Sequence, residues 1–173
     1  LSAIASAFNS VHCDGFVVGD AGFDQVDFGD LAALKTTITE NTAGIVLEPV
    51  QGEGGIRPVP KDYLASIRAL CDEHDILLMF DEVQSGVGRT GSLFAYQQLG
   101  VTPDLLASAK GLGGGIPIGA CLATAIVAAP MTAGSHGSTF GGNPLATAVG
   151  NAVLDELLSD GFMLNVQHAG FHL

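Results

Sequence analysis

The chain has 173 residues, 47% of them apolar, and 18 Asp and Glu against 6 Lys and Arg give it a formal charge of −12. That is enough apolar material for one ordinary core, and a charged fraction of only 14% argues against disorder. The acidic balance argues against a phosphate-tracking nucleic-acid binder and against a protein drawn to anionic membranes, while no apolar run approaches the roughly 20 residues of a spanning helix.

The N-terminus, Leu1-Ser2-Ala3-Ile4, has neither an initiator Met nor a basic leader, which reads as part of a longer chain without a signal peptide. Asp30 is placed to cap a helix whose apolar face is Leu31, Leu34 and Ile38. Ile45-Val46-Leu47 forms a short apolar run that ends at Glu48-Pro49. After Pro60, a helical stripe carries Leu64, Ile67, Leu70 and Cys71. Ile76 to Phe80 is a second apolar run, ending at Asp81-Glu82, and Leu105 to Ser108 is a third, ending just before Lys110. Asn143-Pro144 reads as cap and first residue of a helix with Leu145, Val149, Ala152, Val153 and Leu157 on one side. The residues from Gly161 on look like the start of a further unit, which divides the chain into 1–160 and 161–173.

Each apolar run is continuous rather than alternating, as expected of strands covered on both faces. With glycine clusters between runs and helices, the pattern predicts an α/β domain with a mostly parallel sheet flanked by helices. Cys13, Cys71 and Cys121 are odd in number and far apart, which suggests free thiols in a reducing, cytoplasmic setting. Cys71-x-x-His74 could pair on a metal, but the helical stripe turns Cys71 to the core and leaves His74 in the last turn, so no metal site is expected.

In open parallel sheets, functional groups gather beyond the carboxyl ends of the strands. Those ends carry Glu48, then Asp81 and Glu82, then Lys110. Lys110 lies between an apolar run and Gly111-Leu112-Gly113-Gly114-Gly115, where small neighbours let a bound molecule approach the backbone. Partial desolvation there would disfavour the ammonium and make a usable amine nucleophile. Asp81 is its natural counterpart: a buried carboxylate can keep the ring nitrogen of pyridoxal phosphate protonated, the condition under which that ring accepts electrons. Gln84 could then donate to the phenolic oxygen and Val83 pack on a ring face. The bland alternative is an Asp81–Lys110 ion pair with no cofactor.

Two other features need weighing. Gly86-Val87-Gly88-Arg89-Thr90-Gly91 matches the dinucleotide fingerprint, but Asp81-Glu82-Val83-Gln84-Ser85 stands between strand and first glycine, and two carboxylates would repel a pyrophosphate. The segment from Gly134 to Pro144 offers hydroxyls and open amides that can hold a phosphate or carboxylate oxygen without a basic residue; as a plain turn into the next helix it would do nothing.

Taken together, Glu48 to Gly55, Phe80 to Gly91, Ser108 to Gly111 and His136 to Pro144 resemble the class III aminotransferases, pyridoxal-phosphate enzymes of fold type I. Met131 to Gly134 and Gly22 to Val26 are most similar to the subgroup acting on N-acetylornithine. The resemblance implies that residues 1–160 are part of the large, cofactor-binding domain and that 161–173 begin a C-terminal small domain. It implies that Lys110 bonds the cofactor aldehyde and moves the substrate proton, with Asp81 at the ring nitrogen and Glu82, Val83 and Gln84 along the ring. Thr139 would bind the cofactor phosphate across a dimer interface, and Ser138 and Glu53 would border the substrate. The implied reaction transfers the δ-amino group of N-acetylornithine to 2-oxoglutarate in a cytoplasmic homodimer of arginine biosynthesis. Succinylornithine, ornithine and 4-aminobutyrate enzymes share most of these motifs, and a non-catalytic chain of the same fold is the other alternative. The family pattern is more than twice this long. Its Gly-Ser/Thr phosphate loop, stacking aromatic and carboxylate-gripping arginine have no counterpart in this sequence, so the isolated chain is expected to be inactive.

Overall fold

The computed structural model describes the backbone of residues 2–5 and residues 22–172; Cys13 lies outside them. The strands are β1 (Ser2–Ala5), β2 (Phe23–Gln25), β3 (Thr42–Leu47), β4 (Val50–Gln51), β5 (Arg57–Pro58), β6 (Leu77–Asp81), β7 (Leu105–Ser108) and β8 (Ala120–Ala123). Six of them form one sheet in the order β2-β1-β3-β6-β7-β8, parallel throughout except for the last pair. A small antiparallel hairpin, β4–β5, stands beside it. The helices are α1 (Leu31–Thr37), α2 (Lys61–His74), α3 (Tyr96–Leu99), α4 (Ala125–Ala128), α5 (Pro144–Leu157) and α6 (Phe162–Phe171). This is the expected α/β architecture with a mostly parallel sheet. No helix among the described residues is long and apolar enough to cross a membrane.

The expected caps form. Asp30 Oδ1 accepts from the Ala33 N–H at 2.8 Å, opening α1. Asn143 Oδ1 accepts from the Ala146 N–H at 2.9 Å, with Pro144 as the first residue of α5. Helix α2 buries Leu64, Ile67, Leu70 and Cys71 against Ile45, Leu47, Leu78 and Phe80 of the sheet. Burial pushes the Cys71 thiol up to about 12, so it is an inert core residue. No metal-binding group of His, Cys, Asp and Glu occurs among the described residues.

Two expectations change. The strands alternate in burial: Leu78 and Phe80 are fully buried, whereas Met79 on the opposite face is half-buried and Leu77 is 37% exposed. The described residues therefore cover one sheet face well and the other only in part, although both are apolar. In α5 the buried residues are Ala146, Gly150 and Leu157, while Leu145 is 67% exposed and Ala152 is also exposed. The reason is close approach: α5 packs on the short 3-10 turn Lys110–Gly113, and a Cβ at Gly150 would lie 3.6 Å from the Leu112 carbonyl oxygen. Small residues, not the largest apolar ones, make that contact.

Candidate active site

Register brings the charged strand ends side by side. Leu47 of β3 pairs with Phe80 of β6, and Asp81 pairs with Ala107 of β7, so Glu48, Asp81 and the Ala109-Lys110 turn lie at the ends of three adjacent strands. Lys110 has φ 46°, a left-handed backbone that costs a non-glycine residue roughly 1 kcal/mol. It opens the 3-10 turn that Gly114 closes at φ 54° and that α5 supports from behind. Its side chain is exposed, so the expected desolvation is not supplied by the described residues. Among those residues the ion pairs are Arg68 with Asp72 at 2.7 Å and with Asp104 at 2.8 Å; Asp81 and Lys110 are not joined.

Asp81 Oδ1 accepts from the Val83 N–H at 2.9 Å, which turns the chain after the strand. Its neighbour behaves differently. Glu82 is fully buried on the core side, where Oε2 accepts from the Ala95 N–H at 2.6 Å and from Ser85 Oγ at 3.2 Å, and Oε1 from the Tyr96 N–H at 2.9 Å. Burial still raises this carboxyl above the usual range despite those three donors. The resemblance put Glu82 with the cofactor contacts; the structure spends both of its oxygens inside the fold, because strand alternation sends Asp81 and Glu82 to opposite sides.

Glu48 Oε2 accepts from the Gly52 N–H at 3.1 Å. Desolvation raises the Glu48 carboxyl, Asp81 and Glu53 add to the rise, and the Gly52 amide and Lys110 oppose it. The Gln84 carboxamide lies directly on Gly52, where a Cβ would overlap it. Glu53 is exposed at the turn that follows.

Residues 134–142 are exposed. Ser138 Oγ accepts from the Gly141 N–H at 3.0 Å and Asn143 Nδ2 donates to the Phe140 carbonyl at 2.8 Å, so side chains shape this turn. Val83, Ser108, Ala109, Cys121 and Ser138 border a cleft of about 910 Å³. Thr139 is exposed, outside the cleft wall. Sequence reasoning passed over Ser108, whose buried Oγ has no hydrogen-bond partner, and Gly52, whose missing side chain makes room for Gln84. The only signals for them were a hydroxyl ending an apolar run and a glycine after Glu48. The fingerprint match at Gly86 to Gly91 forms turns and opens no helix, which removes the dinucleotide reading.

The strand-end carboxylates, the lysine turn and the glycine-rich loop all lie within a stretch that known proteins share. The family model for class-III aminotransferases matches residues 22–173, and the chain belongs to that family. It is 60% identical to an acetylornithine aminotransferase of Agrobacterium fabrum over 96% of its own length and 42% of the relative's. The solved N-acetylornithine aminotransferase of Stenotrophomonas maltophilia superposes with a TM-score of 0.81 at 40% identity, covering 99% of this chain and 42% of that one. The ornithine aminotransferase of Toxoplasma gondii, described with partial occupancy of PLP at its active site, gives a TM-score of 0.81 at 36% identity over 90% of this chain and 40% of that one. The chain thus spans about two fifths of the length of these relatives.

Proposed function

We propose that the full-length protein is an aminotransferase using pyridoxal 5'-phosphate to move the δ-amino group of N-acetylornithine to 2-oxoglutarate. The observation that carries this reading is that Lys110 and Asp81 stand at the ends of neighbouring strands and are not spent on each other. The donor set suits the cofactor: among the described residues Asp81 keeps its second carboxylate oxygen without a protein donor, and Lys110 offers an amine with no ion pair. When bound, the cofactor supplies an electron sink for the pair left on the amine-bearing carbon.

The remaining work falls to the chain's own residues. Lys110 Nζ would hold the cofactor covalently at its aldehyde carbon, with loss of water, and the same amine, once freed, would take up and return the substrate proton. Asp81 would hold a proton on the ring nitrogen, Gln84 would donate to the phenolic oxygen, and Val83 would pack on a ring face. Thr139, standing exposed, would serve the cofactor phosphate of a second subunit in a homodimer. Ser138 and Glu53 border the substrate. Glu82 contributes by fixing the backbone around Asp81. Residues 1–160 belong to the cofactor-binding large domain, and 161–173, from the left-handed Gly161 onward, open the small domain. Buried Cys71 and exposed Cys121 are free thiols, which suits the cytoplasm.

The test is absorbance. Full-length protein with pyridoxal phosphate should give the visible band of the lysine-bound cofactor, and Lys110→Ala should abolish it. No band, or a band that survives, overturns the reading. A substrate panel should then give the highest kcat/KM with N-acetylornithine. Ornithine as the better donor is the second reading, favoured by the likeness to the Toxoplasma enzyme.

A further inference from the structure

Three observations meet beside the site. Glu48 leaves β3 and bends back over Pro49, so that its carboxylate accepts from the Gly52 N–H at 3.1 Å. Gly52 opens the turn between β4 and β5, where its carbonyl accepts from the Gly55 and Ile56 N–H groups at 3.1 and 3.2 Å. The Gln84 carboxamide rests on the Gly52 α-carbon, with no room for even a methyl group between them. Gln84 itself comes from another strand end, three residues past β6. A polar side chain on a bare backbone floor is only as well placed as that floor, and the Glu48 carboxylate secures the floor's amide.

We propose that Glu48 is a positioning residue: by holding the Gly52 amide it fixes the surface on which the Gln84 carboxamide is set towards the cofactor. This rests on the functional reading above, which gives Gln84 its contact. An ordinary surface carboxylate would have no such role. Glu48 sits near Asp81 and Glu53, which work against its charge, and Lys110, which favours it, so a carboxylate in this place calls for a specific donor. The Gly52 N–H supplies it, with the Glu48 carboxylate as acceptor. A glutamine keeps that acceptor and an alanine does not, which separates the hydrogen bond from the charge.

The experiment uses full-length protein carrying Glu48→Ala, Glu48→Gln, Gly52→Ala, Gln84→Ala and the double Glu48→Ala/Gln84→Ala. Pyridoxal phosphate affinity is measured by equilibrium dialysis, and the Gly52 amide and Gln84 carboxamide are followed by NMR in the cofactor-free protein. Loss of one such hydrogen bond is worth roughly two- to tenfold in affinity. Glu48→Ala and Gly52→Ala should each weaken binding about as much as Gln84→Ala. The double variant should be no weaker than Gln84→Ala alone, and Glu48→Gln should restore binding. Additive losses in the double variant, or Glu48→Gln behaving like Glu48→Ala, overturn the proposal. If the unsubstituted protein binds no pyridoxal phosphate, the functional reading fails and NMR decides this one. In that case faster Gly52 exchange with a displaced Gln84 signal in Glu48→Ala upholds it, and an unmoved Gln84 signal overturns it.

Discussion

At the scale of single residues, the two adjacent carboxylates at the end of β6 make opposite demands. Glu82→Ala would strand two backbone amides, those of Ala95 and Tyr96, at a cost of roughly 2–3 kcal/mol. Denaturant unfolding should show that loss, while Asp81→Asn should leave stability nearly unchanged and weaken cofactor binding. Glu48 gives a pH signature. Its carboxyl is held above the ordinary 4.5, chiefly by desolvation, so the folded chain binds this proton more tightly than the unfolded one. That contribution is fully present below the ordinary value and is lost as pH rises through the raised one. Glu48→Gln should therefore gain stability over the unsubstituted protein as pH rises through the carboxylate range and show no gain below it. Lys110 allows a third comparison, because its φ of 46° is strained for any side chain. Lys110→Gly should be more stable than Lys110→Ala by roughly 1 kcal/mol, although both lack the amine. The sequence made Lys110 and Asp81 legible through their position after apolar runs. It did not reveal that Glu82 turns inward, because a pair of acids reads alike until the strand's parity is known.

Among the elements, α5 matters most for the site, since it supports the turn that presents Lys110. Gly150 marks the closest approach. Gly150→Ala keeps ordinary contact distance and should stabilise the helix by up to about 1 kcal/mol. Gly150→Leu should cost roughly 1–3 kcal/mol and weaken cofactor binding by pushing α5 off the Lys110 turn. Thermal unfolding with a binding isotherm for each variant separates the two effects. The caps of α1 and α5 were readable in advance because Asp30 and Asn143 satisfy a chemical requirement of any helix start. The buried face of α5 was not, because counting large apolar residues favours Leu145, which is exposed, over Gly150, which has no side chain to count.

For the whole molecule, the continuous apolar runs gave the parallel sheet correctly but overstated its cover within the described residues. Met79 and Leu105 are half-buried on the less covered face, and Ile126, Phe140 and Phe171 are more than four fifths exposed. Sequence pattern reports which faces are apolar, not which part of a longer chain or which subunit meets them. The proposed sharing of Thr139 between subunits makes a prediction at this scale. A Lys110→Ala chain and a Thr139→Glu chain, whose new carboxylate repels the phosphate, should each be inactive alone and should regain about a quarter of full activity after unfolding and refolding together, because half the dimers are mixed and each has one intact site. No recovery would place Lys110 and Thr139 in the same subunit's site.

Parity also makes the length of β6 matter more than its composition. Leu78 or Met79 can be exchanged for another apolar residue at modest cost. Insertion or deletion of one residue would instead exchange the outlooks of Asp81 and Glu82. A carboxylate without matching amides would then enter the core, and the opposite side of the sheet would receive a longer side chain in place of the shorter one. One slip would produce two faults, in folding and in chemistry, and no single side-chain substitution could mend both.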